Sequence, residues 1–160
     1  MNKVILFFYL LVAGCLFSCS EGTVLYSDIV DIENSNWHKD SIAQFSFDVT
    51  DTTQPVAVRL RVDNSDEYYW ANLYLFSTIS FPSGKVIRDT LNLIISDYAG
   101  RWTGKGIGDK YENTFVIKNN IIFPEYGRFT FSLQQAMRCE DFNNAISGIH
   151  SVGIEILEYK

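Results

Sequence analysis

Histidine and cysteine are scarce in this chain, and their scarcity removes most catalytic readings at once. Only His38 and His150 are present among 160 residues, in unlike surroundings near opposite ends of the sequence. A Ser-His-Asp system needs a histidine beside an activated serine, and no Gly-x-Ser-x-Gly elbow occurs. A hydrolase would need one of them within reach of a nucleophile or carboxylate in a pocket; both are read instead as structural or surface residues. No Cys/His group has the ligand spacing of a zinc site. Cations are also in the minority: 13 Lys and Arg stand against 19 Asp and Glu, for a formal charge of −6. That balance argues against nucleic acid and anionic lipid surfaces, which both reward Lys and Arg. Long apolar runs are missing as well. Residues 4–13, behind the lone Lys3, are too few for a spanning helix, which needs roughly 20 apolar residues.

That short run has the size of a signal-peptide core. Directly after it stands Leu16-Phe17-Ser18-Cys19, with a small residue before a cysteine and leucine three positions ahead of it. This is the pattern of a lipobox. The Cys19 thiol would take a diacylglyceryl group, and cleavage before it would leave an amine for an N-acyl chain of the palmitate type. Val12-Ala13-Gly14-Cys15 also fits, which makes Cys15 the alternative. Cys19 is preferred because Ser20-Glu21-Gly22 reads as a polar tether, whereas Cys15 would leave Leu16-Phe17 leading the mature chain. An uncleaved anchor is the plainer alternative. Each buried methylene contributes ~0.8 kcal/mol, and several acyl chains together hold a protein on a membrane essentially permanently. Beyond this covalent lipid on Cys19 no cofactor is expected. Ser20 stands where an aspartate would retain a lipoprotein in the inner membrane, so the outer membrane is expected, with either face open. Cys139 is then the one cysteine left. It excludes a disulfide within the monomer and reads as a small buried apolar residue, with an intermolecular thiol as the alternative.

Cleavage before Cys19 leaves 142 residues, enough for one domain burying ~68–70% of its unfolded surface. The expected divisions are a signal peptide over 1–18, a lipidated tether over 19–36 that becomes an edge strand near Trp37, and a domain over 37–160. In that domain the period is two. Phe45, Phe47 and Val49 alternate with Ser46 and Asp48; Val56, Val58, Leu60 and Val62 with Arg59, Arg61 and Asp63; Leu73, Leu75 and Ser77 with Tyr74 and Phe76. Phe129, Phe131 and Leu133, then Ile154 and Ile156, repeat the pattern. Strict alternation buries one face of an antiparallel sheet. All three prolines (Pro55, Pro82 and Pro124) fall in the breakers between these runs. The chain is expected to be all-β, an antiparallel sandwich of jelly-roll or immunoglobulin-like type. One short helix is expected in the 134–149 connection, around Gln135-Ala136-Met137-Arg138.

Three segments carry weaker signals. Asp63-Asn64-Ser65-Asp66-Glu67 offers Asp63 and Asp66 as calcium candidates, but it lacks the EF-hand spacing and reads better as hairpin chemistry. Gly100-Arg101-Trp102-Thr103-Gly104-Lys105-Gly106 lacks the P-loop spacing and reads as a stretch where backbone approaches backbone. Tyr69, Tyr98 and Trp102, near Tyr68 and Trp70, are candidates for an interaction surface. If coplanar and exposed they would bind sugar rings, and otherwise they fill core and edge positions.

Taken together, the ordered motifs resemble the GldH family of gliding motility lipoproteins over nearly the whole sequence. They run from the lipobox and Trp37 through Phe45-x-Phe47, Leu60-Arg61-Val62 and Tyr68-x-x-x-Asn72-Leu73-Tyr74-Leu75-Phe76. Pro82-x-Gly84, Asp89-Thr90-Leu91 and Gly100-x-Trp102-x-Gly104-x-Gly106 follow, then Phe123-x-x-x-Gly127-x-Phe129-x-Phe131, Gln135-Ala136-Met137-Arg138 and Gly148-Ile149-x-x-Val152-Gly153-Ile154. The resemblance implies a non-catalytic accessory of the gliding machinery, working alongside type IX secretion, with envelope proteins of those systems as partners. It brings no catalytic residues with it. The alternative is an envelope lipoprotein that binds glycans through exposed aromatics.

Overall fold

A computed structural model describes residues 22–138 and 143–159. The strands are β1 (Val24–Asp31), β2 (Asn36–His38), β3 (Ala43–Val49), β4 (Val56–Ser65), β5 (Asn72–Ser80), β6 (Val86–Ile94), β7 (Lys105–Ile107), β8 (Lys110–Ile121), β9 (Gly127–Gln135), β10 (Ala145–Ser147) and β11 (Ile149–Glu158). One sheet has the order β1-β11-β4-β8-β7 and the other β3-β9-β5-β6, while β2 and β10 form a small third pair. Every pairing is antiparallel. In chain order the eight long strands switch between two facing sheets at every step but one, the β5–β6 hairpin, in the manner of a jelly roll.

The alternating runs fall where the period of two puts them. Along β3, Ala43, Phe45, Phe47 and Val49 are buried while Gln44, Ser46 and Asp48 are exposed. Leu73, Leu75 and Ser77 share the buried face of β5. Inward residues of both sheets meet in one core, with Leu60, Val62, Val152 and Ile154 from one side and Phe45, Leu75, Phe129 and Leu133 from the other. Phe129 sits among Phe47, Phe81 and Phe123, at centroid distances of 5.8, 5.1 and 5.1 Å. Leu157, placed by alternation on the watered face, is buried as well. Its cross-strand neighbours are Val24 and Ala57, so that face of β11 is apolar at this end, while Glu155 further along it lies opposite Arg59.

Two elements differ from the sequence expectation. The sheet begins at Val24, inside the stretch read as tether, because β1 pairs with β11 from Val24↔Leu157 to Asp31↔Ser151. As an edge strand with exposed Val24, Leu25 and Ile29, β1 has little alternation to read. Trp37 lies instead in β2, fully buried. In the 134–149 connection, no helix occurs among the described residues: Gln135 ends β9, and residues 136–138 continue without regular structure. The buried Gln135 side chain takes up nearby backbone groups, its Oε1 accepting from Met137 N at 2.9 Å and its Nε2 donating to Asn144 O at 3.1 Å.

Candidate functional site

The two ends of the sandwich differ in chemistry. At one end lie the start of β1, the loop before Val56, the end of β8 and Tyr159, joined by the register Val24↔Leu157, Glu158↔Val56 and Val56↔Ile121. At the other end the connections β4–β5 and β6–β7 bring Tyr68, Tyr69, Trp70 and Trp102 together.

Tyr68 anchors this aromatic end. It is buried and its hydroxyl donates to Asn72 O at 2.8 Å. Trp70 and Trp102 pack on it at 5.5 and 6.4 Å, tilted by 59° and 54°. Tyr69 meets Trp70 edge-on at 83°, and Trp102 meets Tyr111 at 40°. None of these pairs is stacked, so the rings form an interlocked cluster and not a flat platform for sugars. Of the three sequence candidates, Tyr69 and Tyr98 are exposed, while Trp102 is half-buried against the core. The structure joins Tyr69 to Trp102 through Trp70 and Tyr68; Tyr98 projects from the loop that Asp97 holds.

Asp66 organises the cluster, a role its sequence context did not reveal. Its Oδ1 accepts from Trp102 Nε1 at 2.7 Å. It also bonds Tyr111, whose phenol is pushed above its ordinary pKa first by burial and then by the Asp66 charge. Asp63 is engaged elsewhere, accepting from Arg61 at 2.9 and 2.8 Å and from Ser151 Oγ at 2.9 Å. The two calcium candidates therefore serve different protein partners. Among the described residues no group of three or more His, Cys, Asp or Glu is placed to hold a metal.

Behind Trp102 the glycine-rich segment approaches neighbouring residues closely at Gly104 and Gly106, as the sequence suggested, while Gly100 faces open space. A Cβ on Gly104 would lie 2.8 Å from Glu112 O, and Gly108 turns β7 into β8 with φ +69°. Buried Asn113 ties the segment to the core, accepting from Thr103 Oγ1 at 3.2 Å and donating to Asn64 Oδ1 at 2.8 Å.

The histidines also find partners. His38 Nδ1 lies 3.6 Å from Asp40 Oδ2, both well exposed. Ser35 Oγ stands 2.6 Å from His150 Nδ1, a contact across 115 positions that no local pattern foretells. The far nitrogen, His150 Nε2, is buried without a partner. A nucleophile–base pair needs a third group to orient the base; this one has none among the described residues and fastens the turn before β2 onto β11.

Cys15, Cys19 and Cys139 lie outside the described residues. Among the described residues no helix is long and apolar enough to cross a membrane.

Comparison with known proteins supplies what the geometry does not. The family described as GldH lipoprotein matches residues 24–156. The chain is 37% identical over 144 residues to the gliding motility lipoprotein GldH homolog of Christiangramia forsetii, covering 88% of each chain. It is 31% identical over 150 residues to the gliding motility lipoprotein GldH of Flavobacterium johnsoniae, covering 92% of each. Among solved structures, that of infectious bursal disease virus Gx strain matches at 10% identity and a TM-score of 0.39, over 88% of this chain and 30% of that one.

Proposed function

The chain belongs to the GldH lipoprotein family, and from that premise we propose that it is a gliding motility lipoprotein held in the cell envelope by lipid on Cys19. In this reading it is a non-catalytic accessory of the gliding machinery, working beside type IX secretion on the outer membrane. One observation carries the reading. Two gliding motility lipoproteins match this chain along nearly their full length as well as its own. A rigid sandwich suits such a role, because antiparallel sheets position surface loops without large motions. Ser20 after the lipidated cysteine favours the outer membrane, and the unoriented Ser35–His150 pair favours a structural role over catalysis.

Deletion of the gene in a gliding host tests this directly. Spreading should be lost, restored by the wild-type chain and by Ser35→Ala, and not restored by Cys19→Ala. Normal spreading together with normal secretion in the deletion strain would overturn the proposal. Rescue by Cys19→Ala alone would move the anchor to Cys15.

A further inference from the structure

Between the sheets, at the end where the chain enters β1, lies a cleft of about 390 Å³. It is open because β7 covers only residues 110–112 of β8, so residues 115–121 form a bare sheet edge opposite the other bare edge, β6. Its walls are apolar, with Phe47, Ile79, Leu91, Ile117, Phe131 and Ile154 facing the space. The Ser77 hydroxyl in the wall is spent on Asp89 O at 3.5 Å. Water in such a place finds too few partners, and an empty one forfeits the dispersion contacts of every lining atom. The volume is near the lower end for small-molecule sites, which suits one alkyl chain better than two.

Charged groups gather only at the mouth. Lys118 Nζ reaches across from β8 to Asp89 Oδ2 of β6 at 3.8 Å, with both side chains more than half exposed. Lys85 lies over the Phe81 ring at 5.4 Å and, among the described residues, has no ion-pair partner. An apolar slot with two ammonium groups at its opening, one of them uncommitted, matches an alkyl chain that ends in an anion. We propose that this cleft binds a long-chain fatty acid, with its chain between the sheets and its carboxylate at Lys85 and Lys118. The site lies at the end of the sandwich that carries the tether, where a membrane would supply such a molecule. That placement rests on the lipidation of Cys19, while the cleft's chemistry does not.

The test uses the mature lipidated protein in nanodiscs of zwitterionic phospholipid doped with a diazirine-bearing palmitate. After irradiation, label should map to the peptides carrying Ile79, Leu91 and Ile117. Leu91→Trp, which fills the cleft, should abolish that label; Lys85→Glu, at an exposed turn and safe for folding, should reduce it. Label confined to outward residues such as Val24 and Leu25, or cleft label unchanged in both variants, would overturn the proposal. So would label that enters the cleft only after Cys19→Ala, since the protein's own acyl chain would then be the occupant. The mass of the N-terminal peptide checks the Cys19 lipid separately, so either reading can fail alone.

Discussion

Gln135 shows how one buried side chain can settle the course of the backbone. Its sequence neighbours favour a helix, yet its amide replaces helical hydrogen bonds by bonding Met137 N, Asn144 O and, at 3.5 Å, Trp37 O. Gln135→Leu keeps the volume but strands these groups, and each buried group left unsatisfied costs about 1–3 kcal/mol. A clear drop in the urea midpoint is the expected result. Gly148 is constrained more severely: φ is +81°, and a Cβ would strike the Tyr68 backbone and come within 2.7 Å of Glu67 C. Gly148→Ala should destabilise the domain by about 2 kcal/mol or more, measured by the same unfolding experiment. Asp97 sets a pH limit on the loop that presents Tyr98. The backbone N–H of Arg101, then its side chain and the Ala99 N–H, hold the Asp97 carboxyl below its ordinary pKa. A depressed folded pKa means that this contribution is complete above the ordinary carboxylate pKa and fades as pH falls through the folded value. Amide exchange at Ala99 and Arg101, corrected for intrinsic pH dependence, should therefore lose protection in acid and keep it at neutral pH.

Elements were legible in proportion to how unequally their two faces are solvated. In β3, β4, β5 and β9 one face is core and the other water, so the apolar period of two stands out. In β6 every residue from Val86 to Thr90 is exposed, so that period is absent there; β8 does alternate from Lys110 to Lys118, but its buried Asn113 and exposed Val116 blur the apolar signal. For β1 the limit is different: its partner is at the far end of the chain, and only the closed fold reveals the pairing. Gly153 makes that pairing possible, since a Cβ there would lie 2.8 Å from Asp28 O and from Ile29 Cγ1. Gly153→Val should pry β1 off β11. Hydrogen exchange should then accelerate across residues 24–31 while β3 and β9 keep their protection; unchanged β1 protection would refute the role given to Gly153.

For the whole molecule, lipidation at Cys19 would set an orientation. Val24 lies five positions after Cys19, a reach of at most ~18 Å at ~3.6 Å per residue. β4 alone, with 10 residues, spans ~33 Å at ~3.3 Å per residue. A lipid on Cys19 would therefore keep the β1 end and the cleft near the bilayer and hold the aromatic end with Tyr69, Tyr98 and Trp102 away from it. A fluorophore at Tyr126→Cys should be quenched by brominated lipid in the nanodisc, whereas one at Tyr98→Cys should not. Equal quenching at both would mean that the sandwich lies flat on the membrane.

The sequence by itself determined the fold class and the family. Alternation in five runs required one-faced sheets. The order of motifs was enough to reach the family. Tertiary structure alone decided what depends on contacts between distant residues: the place of β1 beside β11, the Ser35–His150 contact, the sharing of Asp66 between Trp102 and Tyr111, and the cleft left open between β6 and β8. The reason is physical. Periodicity records which side of a strand meets water, but not which strand lies beside it or where two sheets fail to close.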